Sequence, residues 1–155
     1  MLKNEITFAL TKAMKKKDKE SINTIRLMLA VIKDKEISTR SNGSSNEIMD
    51  NELLSLLHSM IKQRKESIDL YKKGKREELV KKENNEIKII ERFLPKQLND
   101  NEIESVCKKT IIDLSVNDIN DMSKIINELK NKFPGRIDMA KASSYVKKIL
   151  TENTK

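Results

Sequence analysis

Helix-breaking residues are the scarcest feature of this chain, and their scarcity limits what it can fold into. Three glycines and two prolines interrupt 155 residues, and these are the two residue types that most strongly stop helices. Between the breaks the sequence is rich in Lys, Glu, Leu and Ile, which favour helix over strand. No segment reads as a strand, so the expected fold class is all-α. With 37% apolar residues, 3% aromatics and no tryptophan, the core should be aliphatic and thin. The length suits one domain or two small units.

The breaks also set the expected boundaries. Residues 2–16 place Ile6, Leu10 and Met14 at four-residue spacing, a narrow helical stripe. Asp18 can cap a second helix running to about residue 38, with Ile22, Ile25, Leu29 and Ile32 inward. The polar run STRSNGSSN (38–46) reads as a flexible loop between antiparallel helices. A third helix is expected from about Asp50 to Lys73, followed by Gly74 in the position that commonly ends helices. A fourth carries Leu79, Val80, Ile87 and Ile90 and stops before Pro95, which biases Leu94 away from helix.

That proline is the expected boundary between a four-helix unit, 1–94, and a three-helix unit, 95–155. Asn99 with Glu102 resembles a capping box for a fifth helix bearing Ile103, Val106, Cys107, Ile111 and Leu114. After the turn-rich DLSVNDIND, a sixth helix presents Met122, Ile125, Ile126 and Leu129. Phe133-Pro134-Gly135-Arg136 makes a corner, and Asp138 can cap the last helix, which packs Ala142, Tyr145, Val146, Ile149 and Leu150.

The residues that carry chemistry are few. His58 has no partner His or Cys and borders an apolar stripe, so it reads as structural. Cys107 falls on a core face and reads as packing. No phosphate loop, nucleophile elbow or zinc spacing is present, so the expectation is no catalytic residue, no cofactor and no metal. Glu77-Glu78 and Asp118 with Asp121 sit at helix starts, where the helix dipole accounts for them. Arg26, Arg64 and Glu83 lie on or beside inward stripes of helices two, three and four. Buried charges must be paired, so the three are expected to form a structural polar network, with Arg64 against Glu83.

Net charge is +8, and it is unevenly spread. Residues 1–40 hold ten basic against five acidic residues, centred on KKKDK (15–19). Phosphate neutralisation releases counterions, so basic residues can favour nucleic acid. The first candidate nucleic-acid surface is Arg136, Lys141 and Lys148, beside a helix start whose N–H groups could receive an anion, and Lys15, Lys16, Lys17 and Lys19 are a second basic area. No segment approaches about eighteen consecutive apolar residues, so no membrane span is expected. The N-terminus reads as the first helix of the mature fold rather than a signal peptide. One cysteine suits a reducing compartment. The cytoplasm is the expected location, with an organelle matrix left open.

The run RKESIDLYKKGKREELVKKENNEIKIIERFLPKQL (64–98) resembles the YqeY family in its Arg-Lys…Ser-Ile, Gly-x-Arg-x-x-Leu, Lys-Glu and Leu-Pro-x-Gln-Leu elements. Asp121-Met122-Ser123-Lys124-Ile125-Ile126, Lys17-Asp18-Lys19 and Ile25-Arg26 also resemble family elements. The resemblance implies an all-helical protein whose C-terminal unit is similar to the tail domain of the B subunit of glutamine-dependent tRNA amidotransferase. It implies tRNA, or components of a tRNA amidotransferase assembly, as partners. It also brings a second reading, a carbon–nitrogen ligase with glutamine as amido-N-donor. A helical protein-interaction module is a third. The family's last corner often reads Gly-Lys or Gly-Arg and then Ala-Asp-Gly, where this chain has Ile137-Asp138-Met139.

Overall fold

A computed structural model describes residues 1–40, Gly43 and 47–153. Among the described residues there are seven α-helices and no strand. The chain divides into two compact units, Met1–Leu94 and Pro95–Lys155. The all-α class expected from the scarcity of Gly and Pro is what the chain adopts.

The first unit contains α1 (Leu2–Lys16), α2 (Lys19–Arg40), α3 (Asp50–Lys73) and α4 (Glu77–Glu91). Its core is aliphatic, with Ile6, Met28, Ile32, Leu53, Leu57 and Ile90 fully buried. Burying a side chain of this kind is worth roughly 1.5–3 kcal/mol, and this burial holds helices that are mostly polar on their outer faces. The inward stripe of α1 differs from the expected one: Leu2, Ile6 and Ala13 are buried, Leu10 is half-buried and Met14 is 49% exposed. A four-residue spacing advances 400° per step, so Ile6, Leu10 and Met14 drift around the helix away from the core. Of the polar run 38–46, residues 38–40 close α2 and Gly43 is a turn, while 41, 42 and 44–46 lie outside the described residues.

Two helix ends in this unit close in the same way. At α1 the backbone N–H of Lys17 bonds to Met14 O at 3.2 Å and that of Asp18 to Ala13 O at 3.1 Å. At α3 the N–H of Lys75 bonds to Lys72 O at 3.2 Å and that of Arg76 to Tyr71 O at 2.9 Å. Each pattern needs one left-handed residue. Lys17 and Lys75 supply it, each with φ of 56°. Gly74 therefore sits one residue before the left-handed position, at φ −84°. The expectation that Gly74 itself would close α3 misplaced the turn by one residue.

The second unit contains α5 (Asp100–Asp113), a 3₁₀ turn (Ile119–Asp121), α6 (Met122–Lys132) and α7 (Met139–Asn153). Ile103, Cys107, Ile125, Leu129, Ala142, Val146 and Leu150 form its core. Asn99 caps α5, its side chain accepting from Glu102 N at 2.8 Å and its amide donating to the Glu102 carboxylate at 2.8 Å. Leu114, expected on the inner face, is exposed. The chain turns at Ser115 (φ 52°) and buries Val116 instead. Cys107 is buried, with its Sγ 3.8 Å from Ala142 O. Burial first, and then the charge of Glu104, push its thiol up to about 11, so it stays protonated and apolar at neutral pH.

Candidate functional site

Two helix–turn–helix corners carry the basic residues singled out from the sequence. In the first unit, α1 gives way to α2 within two residues. That turn is abrupt because Lys17 is left-handed and Asp18 at once caps the next helix. The Asp18 carboxylate accepts from Ser21 N at 3.2 Å and from Ser21 Oγ at 2.7 Å. These two hydrogen bonds hold the Asp18 carboxyl below its ordinary value, and the charges of Arg92 and Lys16 add to them. Lys15, Lys16, Lys17 and Lys19 are all exposed around the turn. None of the four takes part in an ion pair among the described residues.

A fifth cation completes this corner, and sequence reasoning missed it. Arg92, at the end of α4, donates from Nη1 to Ser21 Oγ at 3.4 Å. Ser21 is buried and Arg92 is exposed. Arg92 lies 71 residues from Ser21 in sequence, so only the packing of α4 brings it to the start of α2. The sole sequence cue is a charged residue soon after the apolar Ile89-Ile90 pair.

The second corner lies between α6 and α7. Phe133 O accepts from Arg136 N at 3.2 Å across Pro134-Gly135, and Gly135 has φ of 70°. Proline followed by a residue at positive φ is the signature of a type II turn. Asp138 then caps α7, its carboxylate accepting from Ala140 N at 3.0 Å and Lys141 N at 3.3 Å. This corrects the expectation that the helix start offers its N–H groups to an outside anion: the chain's own carboxylate takes them. Arg136 is half-buried and donates from Nε to Lys96 O at 3.1 Å. Lys141 is ion-paired with Asp100 at 2.9 Å, and that hydrogen bond raises its pKa above the ordinary lysine value. Lys148 is exposed on α7. Ile137 is buried in the core of the second unit.

The expected structural network is rearranged. Arg64 Nε meets Glu86, not Glu83, at 3.0 Å, and the two side chains are 13% and 16% exposed. Arg64 Nη1 also donates to Met60 O at 3.1 Å. Glu83 lies one turn before Glu86 on α4. Burial, followed by the charge of Glu86, raises its carboxyl above the usual value, while Arg64 pulls the other way. Arg26 is exposed and stands outside this group, because the inward face of α2 is set by Ile25, Met28 and Ile32. A second pair, unseen in the sequence, joins the partly exposed Lys3 to the buried Glu36 at 2.8 Å. Its hydrogen bond holds Glu36 below the usual carboxylate range.

No group of three His, Cys, Asp or Glu side chains among the described residues is placed to hold a metal ion. No helix there is long and apolar enough to cross a membrane. Two surface hollows, of about 460 and 340 Å³, both lie in the second unit and are shallow. The first is lined by Asp121, Lys124, Asn127 and Glu128 among others, the second by the Asp100–Lys141 pair, Ser144 and Tyr145.

Known proteins agree with the resemblance to the YqeY family. Part of the chain is 43% identical over 84 residues to "Altered inheritance of mitochondria protein 41, mitochondrial" of Kluyveromyces lactis. That match covers 54% of this chain and 43% of the relative. The Eremothecium gossypii protein of the same name is 40% identical over 86 residues, covering 55% of this chain and 44% of its own length. That of Saccharomyces cerevisiae is 36% identical over 85 residues, with the same coverage. The chain thus aligns to less than half the length of these relatives. The family model described as "Yqey-like protein" matches residues 3–150, nearly the whole chain. With that match, the chain belongs to the YqeY family.

Proposed function

We propose that this chain is a non-catalytic accessory protein that binds tRNA, alone or within a tRNA-dependent amidotransferase assembly. In this reading the α1–α2 corner is the principal contact. The observation that carries it is the set of four exposed lysines at one turn, none held in an ion pair among the described residues. Lysines of this kind neutralise phosphates and release counterions, which gives affinity without sequence preference. With 3% aromatics in the chain, stacking on bases contributes little, so the contact is to the backbone. Lys148, with Arg136 and Lys141, forms a weaker second area. The setting that suits this reading is an aqueous, reducing compartment, cytoplasm or organelle matrix.

The test is binding of bulk tRNA and of charge-matched duplex DNA across a salt series. Changing Lys15, Lys16, Lys17 and Lys19 together to Ala should weaken tRNA binding about 100-fold and flatten the salt slope by about 3 to 4, near one per lost phosphate contact. Changing Arg136, Lys141 and Lys148 to Ala should cost less than about tenfold, because two of the three already have partners within the chain. Binding that ignores both sets of changes, and does not distinguish tRNA from DNA, removes this function.

A further inference from the structure

The contact between α4 and the start of α2 extends the proposed interface. We infer that Arg92 is a phosphate-contacting residue of the α1–α2 corner, positioned by Ser21 and Asp18, and that the ligand it meets there is an RNA phosphodiester. This rests on the tRNA-binding reading above, and it adds a residue from a different helix.

The geometry favours a binding role over a purely structural one. Asp18 Oδ2 takes the Ser21 hydroxyl at 2.7 Å, which fixes the Ser21 oxygen with a lone pair outward. Arg92 Nη1 approaches that oxygen at 3.4 Å, a long bond that engages one of five guanidinium N–H donors. The rest of the fork is not tied down by Ser21, and Arg92 is exposed. The arrangement contrasts with Arg64, which is sheltered and has both a carboxylate and a carbonyl as partners. A guanidinium held at one corner, beside four exposed lysines, suits a planar bidentate contact to phosphate. Asp18 stays ionised at neutral pH and limits the local positive charge, so the corner orients Arg92 rather than simply adding charge.

Affinity for tRNA should be measured on the full chain, across a salt series, for Arg92→Ala, Arg92→Lys and Ser21→Ala. Arg92→Ala should weaken binding roughly five- to tenfold and lower the salt slope by about 1. Arg92→Lys keeps the charge and loses the fork, so it should keep the slope and lose about two- to threefold. Ser21→Ala should do the same, because it frees the guanidinium without removing its charge. Thermal melts of each variant separate binding from stability. A lowered melting temperature with unchanged affinity and slope for Arg92→Ala makes the residue structural and overturns the inference. If Arg92→Ala does not fold, unchanged affinity in Arg92→Lys and Ser21→Ala overturns it. Should the four-lysine variant weaken binding while the Arg92 variants do not, the interface stands without Arg92. Should neither weaken it, both readings fall. Stronger binding to anionic phospholipid vesicles than to tRNA would overturn both as well.

Discussion

The two basic corners are built on one plan and end up chemically different. Each places a left-handed residue between two helices and starts the next with an aspartate cap, Asp18 in one and Asp138 in the other. At the α6–α7 corner the cations face inward obligations: Arg136 holds the Lys96 carbonyl and Lys141 holds Asp100. At the α1–α2 corner four lysines stay exposed and a fifth cation arrives from α4. Counting positive residues would rank the two corners as similar. Their partners separate them, because a cation already held must release its carboxylate or carbonyl before it can take a phosphate. The backbone differs as well. Pro134-Gly135 meets the demand for positive φ with the residue that tolerates it, whereas Lys17 carries a Cβ there.

Each of these contrasts can be broken deliberately. The largest effect should come from Gly135→Ala, which places a Cβ at φ 70° in a turn that requires positive φ. It should destabilise the second unit by about 1–2 kcal/mol, read as a shift in the urea midpoint at constant slope. Lys17→Gly is the mirror experiment. Relief of the left-handed strain, offset in part by greater freedom of the unfolded chain, should stabilise the first unit by about 0.5–1 kcal/mol. Opposite signs for these two changes would confirm that the corners differ in backbone fit, and like signs would erase that distinction. The smallest effect should come from Asp100→Asn, which leaves Lys141 without its carboxylate. An exposed pair of this kind is worth about 0.5 kcal/mol. Affinity for tRNA should therefore rise about twofold, and the gain should vanish when Lys141 is also changed to Ala.

Much of this architecture was legible in the sequence where the signal is local. A cap is decided within three residues, and Asn99 with Glu102 and Asp138 with Lys141 form as their types require. The Pro134-Gly135 turn is equally self-contained. The misses arise where two or more positions satisfy the same local rule and tertiary packing chooses. Glu83 and Glu86 both lie toward α3, and only the height of α4 along α3 gives Arg64 to Glu86. Met14 fits a four-residue stripe but rotates out of the core, while Ala13, too small to attract notice, rotates in. The buried Glu36 is charged, and nothing in its neighbours announces Lys3. At the candidate interface the lysine run was visible because it is contiguous. Arg92 was not, because 71 residues separate it from Ser21.

The Ser21–Arg92 contact also bears on when the corner exists at all. A chain emerging from the ribosome presents its N-terminal residues first, so KKKDK is exposed while α3 and α4 are still unmade. A long loop must close before Arg92 reaches Ser21, and such distant contacts form late. The lysines alone would offer a nascent or unfolded chain a diffuse attraction for any polyanion, and the completed corner belongs only to the closed four-helix unit. A ligand that engages all five cations therefore favours the folded state over the unfolded one, and occupancy becomes a report on folding.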